Sequence, residues 1–161
     1  MSDQLSIAFL FRHPAHFIAL GFGAGLSPVA PGTIGTLVAI PIALLLRAYA
    51  GDVEFIAVVT FLVAIGAWAA QVTGRNLGEP DAGAIVVDEI AAFLLVLFYV
   101  GPGWIRLGAA FAIFRAFDIL KPPPIRQLDA AMKNGVGVML DDLLAAGYSL
   151  VVLAVLRRII G

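Results

Sequence analysis

The chain has 161 residues, of which 61% are hydrophobic and only 13% are charged, and its formal net charge is −1. Soluble domains carry about 25% charged residues, so this chain has too few charges to cover a soluble surface. The near-neutral charge and the lack of basic runs give no indication of nucleic-acid binding. The absence of cysteine excludes disulfides, thiolate zinc sites and a cysteine nucleophile. We therefore expect an integral membrane protein, with one domain over residues 1–161.

The N-terminal part, residues 1–32, contains no apolar segment that is clearly long enough to span a bilayer. The run from Leu5 to Phe11 is too short to cross, and glycine at every second position from 21 to 25 weakens any helix there. His13 and His16 are expected at the interface, because two histidines without a third ligand make a poor zinc site. This part is predicted to form an interfacial or re-entrant helix.

Residues 33–161 are predicted to form a helical bundle, because apolar segments alternate there with short polar connections. The five candidate spans are Thr33 to about Tyr49, about Phe55 to Thr73, about Ile85 to Val100, Trp104 to about Leu120, and Leu143 to about Leu156. Several are shorter than the roughly 20 residues that a bilayer needs, so their charged ends should lie in the interface or in a polar cavity. The predicted fold is an all-α, polytopic membrane bundle of about 4–5 transmembrane helices.

The acidic residues are expected to collect on one side of this bundle. If the spans run back and forth, nine of the eleven acidic residues fall on one side of the membrane, and only Asp52 and Glu54 fall on the other. The basic residues have a small excess on the same side: Arg12, Arg75, Lys121, Arg126 and Lys133, against Arg47, Arg106, Arg157 and Arg158 on the other. Because positive charge favours the cytoplasmic side, we expect the acidic face to be cytoplasmic.

Two pairs of adjacent carboxylates are the leading candidates for a metal site. Asp88 and Glu89 lie about one turn inside an apolar run, where acids are usually functional, although they could also cap a helix. Asp141 and Asp142 precede an apolar segment, so on their own they fit a helix cap and a metal ligand equally well. Oxygen ligands without cysteine favour a hard cation, Mg²⁺ first.

Three further groups have both a structural and a functional interpretation. Arg115, Asp118 and Lys121 are three residues apart and share a helix face, as an internal salt bridge or as a basic clamp for a phosphate. The Gly135-x-Gly137 sequence is a turn or a flexible anion-binding loop. The third group could cap and pack the first span; it consists of Ser27, Thr33 and Gly35.

Four blocks of the sequence resemble the phosphatidylglycerophosphatase A family. They are Ser27-Pro28 through Pro31-Gly32-Thr33-Ile34-Gly35-Thr36-Leu37, Val87-Asp88-Glu89, Phe114-Arg115-x-x-Asp118-x-x-Lys121-Pro122-x-Pro124-Ile125, and Gly135-x-Gly137-Val138-Met139-x-Asp141-Asp142. The resemblance runs in order from about His16 to Tyr148. It implies a Mg²⁺-dependent lipid phosphatase of the bacterial cytoplasmic (inner) membrane. Such an enzyme converts phosphatidylglycerophosphate to phosphatidylglycerol in phospholipid biosynthesis.

The roles that follow are hypotheses for a metal-assisted reaction, because the nucleophile motifs of other phosphatase classes are missing. The metal ligands are predicted among Asp88, Glu89, Asp141 and Asp142, with Glu89 or Asp88 as the base and Asp118 as a further metal or orienting ligand. The phosphate is predicted to contact Arg115, Lys121, Thr33, Ser27, Lys133, Gly135 and Gly137. A covalent aspartyl-phosphate is an alternative to direct attack by water.

The competing interpretation is a small ion-coupled transporter or channel that uses the same acidic cluster. Such a protein needs polar residues through the whole depth of the membrane. The second predicted span has no charged residue, and the half of the bundle away from the acids has almost no internal polar group. This distribution favours a one-sided site with a phospholipid substrate. A third interpretation, an assembly scaffold, would not need clustered acids.

Overall fold

The structure is a computed structural model that describes residues 5–160 of the chain. These residues form helices joined by short connections, and no strand occurs among them. The elements are α1 (Ile7–Arg12), α2 (Pro14–Ala19), a short 3₁₀ segment (Gly21–Leu26), α3 (Pro31–Tyr49), α4 (Asp52–Leu77), α5 (Val87–Val100), α6 (Trp104–Leu120), α7 (Ile125–Ala131) and α8 (Gly135–Ile160). The predicted all-α fold is confirmed.

Helix α5 is the central element, and it packs against α3, α4, α6 and α8. Its sequence is apolar almost all round, so it can be covered on every side by other helices. Ile90, Phe93, Leu94 and Leu97 are fully or almost fully buried in the main core. The two acids in the first turn of α5 are therefore held at a fixed position inside the bundle.

Three helices are long and apolar enough to cross a bilayer: α3, α4 and α8. The prediction of about 4–5 spans is not matched by length, because α5 has 14 residues and α6 has 17. Fourteen helical residues extend about 21 Å, whereas the hydrocarbon core is about 30 Å thick. The residues before α5, Ala82 and Ala84 to Val86, are non-helical and buried in protein. Non-helical backbone at membrane depth is tolerated when protein covers it.

The N-terminal part is more tightly integrated than the predicted interfacial or re-entrant helix. Residues 1–4 lie outside the described range; from residue 5 onward α1, α2 and the 3₁₀ segment pack together, and α2 packs on α4. His16 is not interfacial but fully buried, with Nδ1 2.9 Å from the Phe9 carbonyl oxygen and Nε2 2.9 Å from Asn76 Nδ2. Its polar atoms are satisfied within the fold, so it has a structural explanation.

The predicted start of the first span is wrong by two residues. Helix α3 begins at Pro31, and Ala30 precedes it in a left-handed conformation. Proline suits a first helical position because it lacks an N–H group that would need a partner there. Thr33 consequently lies in the first turn and is not the N-cap.

The predicted start of the last span is also wrong, by eight residues. Helix α8 begins at Gly135 rather than Leu143. The side-chain oxygen of Asn134 accepts hydrogen bonds from the N–H groups of Val136 and Gly137, at 3.1 and 2.9 Å, and this caps the helix. The predicted flexible glycine loop is therefore the first turn of α8. Asp141 and Asp142 lie further along this helix, which rules out the cap interpretation.

Candidate functional site

Three carboxylates from two helices converge at one end of the bundle, which we call the carboxylate end. Asp88 and Glu89 lie in the first turn of α5, and Asp142 lies in α8, which packs directly on α5. One carboxylate oxygen from each residue lies within 4.8 Å of the other two. Asp88 is 8% exposed, Asp142 is 3% exposed, and the Glu89 side chain is 13% exposed. The sequence predicted that both acidic pairs would meet; in the structure the first pair meets Asp142 but not Asp141.

The three residues each have a buried oxygen without a hydrogen-bond partner among the described residues. These atoms are Asp88 Oδ1, Glu89 Oε2 and Asp142 Oδ2. Leaving a buried polar group unsatisfied costs about 1–3 kcal/mol, and more when it is charged. Three clustered carboxylates that each keep an unpartnered oxygen fit a cation, and an all-oxygen set fits a hard cation such as Mg²⁺. The residues present therefore suit the predicted metal.

Asp141 points to a different partner. Its Oδ2 atom is 2.5 Å from Lys121 Nζ, and it lies outside the group of three clustered oxygens. Adjacent residues of a helix point about 100° apart, so Asp141 and Asp142 face different neighbours. The structure brings together three of the four predicted metal ligands and places the fourth in an ion pair beside them.

Arg115 of α6 connects the carboxylate cluster to a second acid. It donates a hydrogen bond to Asp118, and its Nη1 atom is 3.6 Å from Glu89 Oε1. Its Nε atom has no partner among the described residues. Asp118 in turn lies close enough to Asp142 for the two carboxylates to repel each other. The internal salt bridge predicted from the sequence is present, and it holds the guanidinium at the edge of the cluster.

Lys121 and Lys133 form a strip of ion pairs next to the cluster. Lys121 Nζ is 3.5 Å from Asp129, and Lys133 Nζ is 2.9 Å from Asp129 and 3.7 Å from Asp81. Burial alone would lower the pKa of Lys121, but the hydrogen bond and charge of Asp141 raise it above its usual value. The hydrogen bond between Lys133 and Asp129 raises the pKa of Lys133 and lowers that of Asp129. Both lysines therefore keep their positive charge.

The two glycines predicted to donate to a phosphate already donate within the protein. The Gly135 N–H donates to Gln71 Oε1 at 3.0 Å, and the Gly137 N–H donates to Asn134. A Cβ atom on Gly135 would lie 2.1 Å from the Ala67 carbonyl oxygen, so glycine is required for α8 to approach α4. The structure gives these glycines a packing role.

Ser27 and Thr33 form no hydrogen bond with the cluster among the described residues. The Ser27 hydroxyl donates to the Val29 carbonyl oxygen at 2.8 Å and shapes the turn before α3. Thr33 lies in the first turn of α3 and is partly exposed. Any direct contact of these hydroxyls with a substrate stays a prediction.

Two residues that the sequence reasoning did not assign to the site contact it directly. Thr36 accepts a hydrogen bond from Arg115 Nη1 at 3.5 Å and donates one to the Gly32 carbonyl oxygen at 2.8 Å. A Cβ atom on Gly32 would lie 2.1 Å from Glu89 Oε1 and 3.3 Å from Arg115 Nη1. Both residues belong to the sequence block around Pro31 that resembles the family, and this resemblance could have indicated a role in the site. Their contacts with Glu89 and Arg115 depend on helix packing and could not be predicted from the sequence.

Comparison with known proteins gives a consistent result over most of the chain. A family model described as Phosphatidylglycerophosphatase A matches residues 17–157. A relative named Phosphatidylglycerophosphatase A from Haemophilus influenzae is 40% identical over 141 residues, which cover 87% of this chain and 86% of that protein. The protein of the same name from Escherichia coli is 38% identical over 138 residues, 85% of this chain and 80% of the relative.

A third relative has a different name. It is the Putative phosphatidylinositol-3-phosphatase of Bacteroides thetaiotaomicron, 41% identical over 152 residues, which cover 89% of this chain and 94% of that protein. The three names share a phosphatase activity on a phospholipid and differ in the head group. No solved structure matches this chain.

Proposed function

Because the chain belongs to the phosphatidylglycerophosphatase A family, we propose that it removes the terminal phosphate of phosphatidylglycerophosphate and releases phosphatidylglycerol. The protein is a phosphatase, a hydrolase of phosphoric monoesters. The observation that carries the proposal is the group of three buried carboxylate oxygens within 4.8 Å of one another, with an arginine at its edge. An acidic group alone would repel a phosphate, so the cation and the arginine are both needed.

The cation proposed for this site is Mg²⁺, held by Asp88, Glu89 and Asp142. When bound, Mg²⁺ would neutralise the clustered carboxylates and act as a Lewis acid on the phosphoryl group. The support is the orphaned oxygen that each of the three residues presents. Asp118 is proposed to hold Arg115 in place rather than to bind the metal, since its partner is the guanidinium.

The chain's own residues would bind and orient the terminal phosphate. Arg115 is oriented by Asp118 and Thr36, which prepares its guanidinium to donate to phosphate oxygens. Lys121 is the second basic side chain at the site. On substrate binding its ammonium group would donate to a phosphate oxygen as well as to Asp141. These positive groups offset the negative charge that builds on the phosphoryl oxygens during the reaction.

The reaction itself is a hydrolysis at phosphorus. A water oxygen forms a bond to the phosphorus atom, and the bond from phosphorus to the lipid glycerol oxygen breaks. Glu89 or Asp88 would take the proton from the water, and the leaving glycerol oxygen takes up a proton to become a hydroxyl. Direct attack by water is proposed over an aspartyl-phosphate because the three clustered carboxylates are better explained as shared ligands of a cation.

The substrate is a lipid, and the position of the site suits one. Three helices are long and apolar enough to cross a bilayer; Asp88 and Glu89 lie in the first turn of α5, and Asp142 lies in the N-terminal third of α8. We propose that the protein lies in the bacterial cytoplasmic membrane with its carboxylate end on the cytoplasmic side. A transporter is less well supported, because the ion pairs of the described residues all lie at the carboxylate end.

An assay on purified protein tests the proposal. The protein is reconstituted in detergent with phosphatidylglycerophosphate and Mg²⁺, and released inorganic phosphate is measured. We expect Asp142→Asn to reduce release by roughly 100-fold or more, because it removes a proposed ligand. Asp52→Asn is the matched control, since Asp52 is exposed at the opposite end of the bundle, and it should keep full activity.

Two results would count against the proposal. One is phosphate release by the folded Asp142→Asn variant at the rate of Asp52→Asn. The other is no release by the unmodified protein when Mg²⁺ and substrate are saturating. A phosphatidylinositol 3-phosphate substrate in a parallel reaction separates the two head groups named among the relatives, and we expect it to be the poorer substrate.

A further inference from the structure

The end of the bundle opposite the carboxylates contains a cavity of about 430 Å³. It lies between the C-terminal end of α5, the N-terminal end of α6 and the C-terminal end of α8. The residues that matter here are Tyr99, Ile105, Arg106, Leu153, Leu156 and Arg157. Asp142 and Arg157 are fifteen positions apart along α8, which places the cavity about 22 Å along that helix from the carboxylate cluster. It is therefore distinct from the proposed active site.

Two exposed arginines line this cavity, one from α6 and one from α8. The Arg157 guanidinium carbon is 6.0 Å from the centre of the Tyr99 ring, which is within cation–π distance. The Arg106 stem lies beside Gly103, where a Cβ atom would be 3.8 Å from Arg106 Cδ. The ion pairs of residues 5–160 lie at the carboxylate end, and neither arginine belongs to them. Two positive groups outside the ion pairs of the described residues thus line the same cavity.

The remaining lining is mostly apolar. Leu153 and Leu156 of α8 and Ile105 of α6 supply aliphatic surface beside the two arginines, and of these three Leu153 is buried. A lining that combines aliphatic side chains with two arginines is complementary to a molecule that has a hydrocarbon chain and an anionic head. A chain that crosses a bilayer is surrounded by such molecules. A soluble anion would match the arginines alone and would leave the apolar surface unused.

We propose that this cavity is a binding site for an anionic phospholipid of the leaflet opposite the active site. The head-group phosphate would lie between Arg106 and Arg157, because guanidinium groups bind phosphate through paired N–H donors. An acyl chain would pack against Leu153, Leu156 and Ile105. The bound lipid would bridge α5, α6 and α8, the three helices that carry the carboxylates and Arg115.

Tryptophan fluorescence gives a direct test, because the chain has two tryptophans and one lies beside the cavity. Trp104 directly precedes Ile105 and Arg106 and is 85% exposed, whereas Trp68 is in α4 near His13. In a Trp68→Phe protein the emission reports on Trp104 alone. Brominated acyl chains quench a tryptophan that they touch. The protein is reconstituted in phosphatidylcholine vesicles that contain phosphatidylserine, with the bromine on one lipid or on the other.

The expected result is a preference for the anionic lipid at Trp104. The association of phosphatidylserine relative to phosphatidylcholine should fall about fivefold on Arg106→Gln and again on Arg157→Gln, since each basic residue near a membrane surface contributes about that factor. Arg158→Gln is the matched control, because Arg158 follows Arg157 in sequence and is exposed but does not line the cavity. It should keep most of the preference.

Three outcomes would overturn the proposal. Equal quenching by both brominated lipids in the Trp68→Phe protein with both arginines intact would show that the cavity has no anionic preference, and this comparison needs no arginine variant to fold. A preference that survives both cavity substitutions would place its origin elsewhere. Loss of the preference on adding about 10 mM inorganic phosphate, well above typical ligand affinities, would assign the arginines to a soluble anion.

Discussion

The two ends of the bundle use charged residues in opposite ways. At the carboxylate end, charges from α5, α6 and α8 are buried against one another, and several of their polar atoms lack a partner among the described residues. At the opposite end, which we call the arginine end, the charges belong to Arg47, Arg106, Arg157 and Arg158 and to two exposed acids, Asp52 and Glu54. Unsatisfied buried charge is costly to maintain, so its presence at one end alone indicates where a ligand is needed.

A pair of arginines makes the contrast concrete. Arg47 donates to the carbonyl oxygens of Leu97, at 3.2 Å, and Phe98, and its guanidinium carbon is 5.8 Å from two phenylalanine rings. It stabilises the C-terminal end of α5 and needs no further partner. Arg115 instead contacts acids and keeps its Nε atom without a partner in the described part of the chain. The Arg47 guanidinium is therefore satisfied within the protein, whereas the Arg115 guanidinium still has a donor that a ligand could use.

The largest difference between the ends is expected from removing one clustered carboxylate. Asp88→Asn should lower phosphate release by roughly 100-fold or more. Without added metal the variant should unfold at the same or a higher temperature, because one of three mutually repelling charges is gone. Activity and thermal unfolding of the same preparation give both quantities. A variant that loses both activity and stability would indicate a structural role for Asp88.

A substitution at Gly32 should disturb the same end without touching an acid. In Gly32→Ala the new Cβ would lie 2.1 Å from Glu89 Oε1, so the carboxylate must move. We expect a loss of about 10- to 100-fold in activity, as for other residues that position metal ligands, with little change in stability. Gly108→Ala in α6 is the control, since no atom lies within 4 Å of its new Cβ. Equal activity of the two variants would contradict the close approach.

At the arginine end the expected effect is on stability and not on catalysis. Arg47→Gln should destabilise the fold by about 1–3 kcal/mol, because the carbonyl groups at the end of α5 lose a charged donor. The rate at saturating substrate and Mg²⁺ should stay close to that of the unmodified protein at temperatures where both are folded. Denaturant unfolding measures the change in stability, and the phosphatase assay measures the change in rate. A selective loss of rate would show that the ends are coupled.

The smallest effect is expected for the exposed ion pair of Lys133 and Asp129. The Lys133 side chain is 51% exposed, so Lys133→Gln should change stability by at most about 0.5 kcal/mol. Asp129 has a lowered pKa, so its contribution is lost as pH falls; Lys133 has a raised pKa, so its contribution is lost as pH rises. The difference from the unmodified protein should be largest near neutral pH. A difference that grows in acid would contradict this pairing.

The carboxylate end could be predicted from the sequence in outline, because it follows from the order of the apolar segments. Alternating spans place Asp88, Glu89 and Asp142 on one face whatever the packing details. Which member of an adjacent pair meets the cluster could not be predicted, since it depends on the rotation of α8 about its axis. That rotation is fixed by the close approach of Gly135 to α4, a contact between residues 64 apart in sequence or more.

The errors of the sequence interpretation also have physical causes. The glycines before Asp141 indicated a flexible loop, but tertiary packing and the Asn134 cap make them helical. Five segments were expected to span, yet α5 is short because its approach segment is buried in protein instead of lying in lipid. The first error reflects a local cap together with the packing of Gly135 on α4, and the second reflects packing alone; in both, tertiary contacts contributed what the local pattern did not show.

Metal binding by purified protein tests the central claim most directly. Mn²⁺, which can replace Mg²⁺ at oxygen sites, is titrated in detergent, and the free ion is measured by electron paramagnetic resonance. The account predicts binding by the unmodified protein, at least about tenfold weaker binding by Asp142→Asn, and nearly unchanged binding by Asp141→Asn. Equal binding by Asp142→Asn and the unmodified protein, or a loss confined to Asp141→Asn, would contradict it.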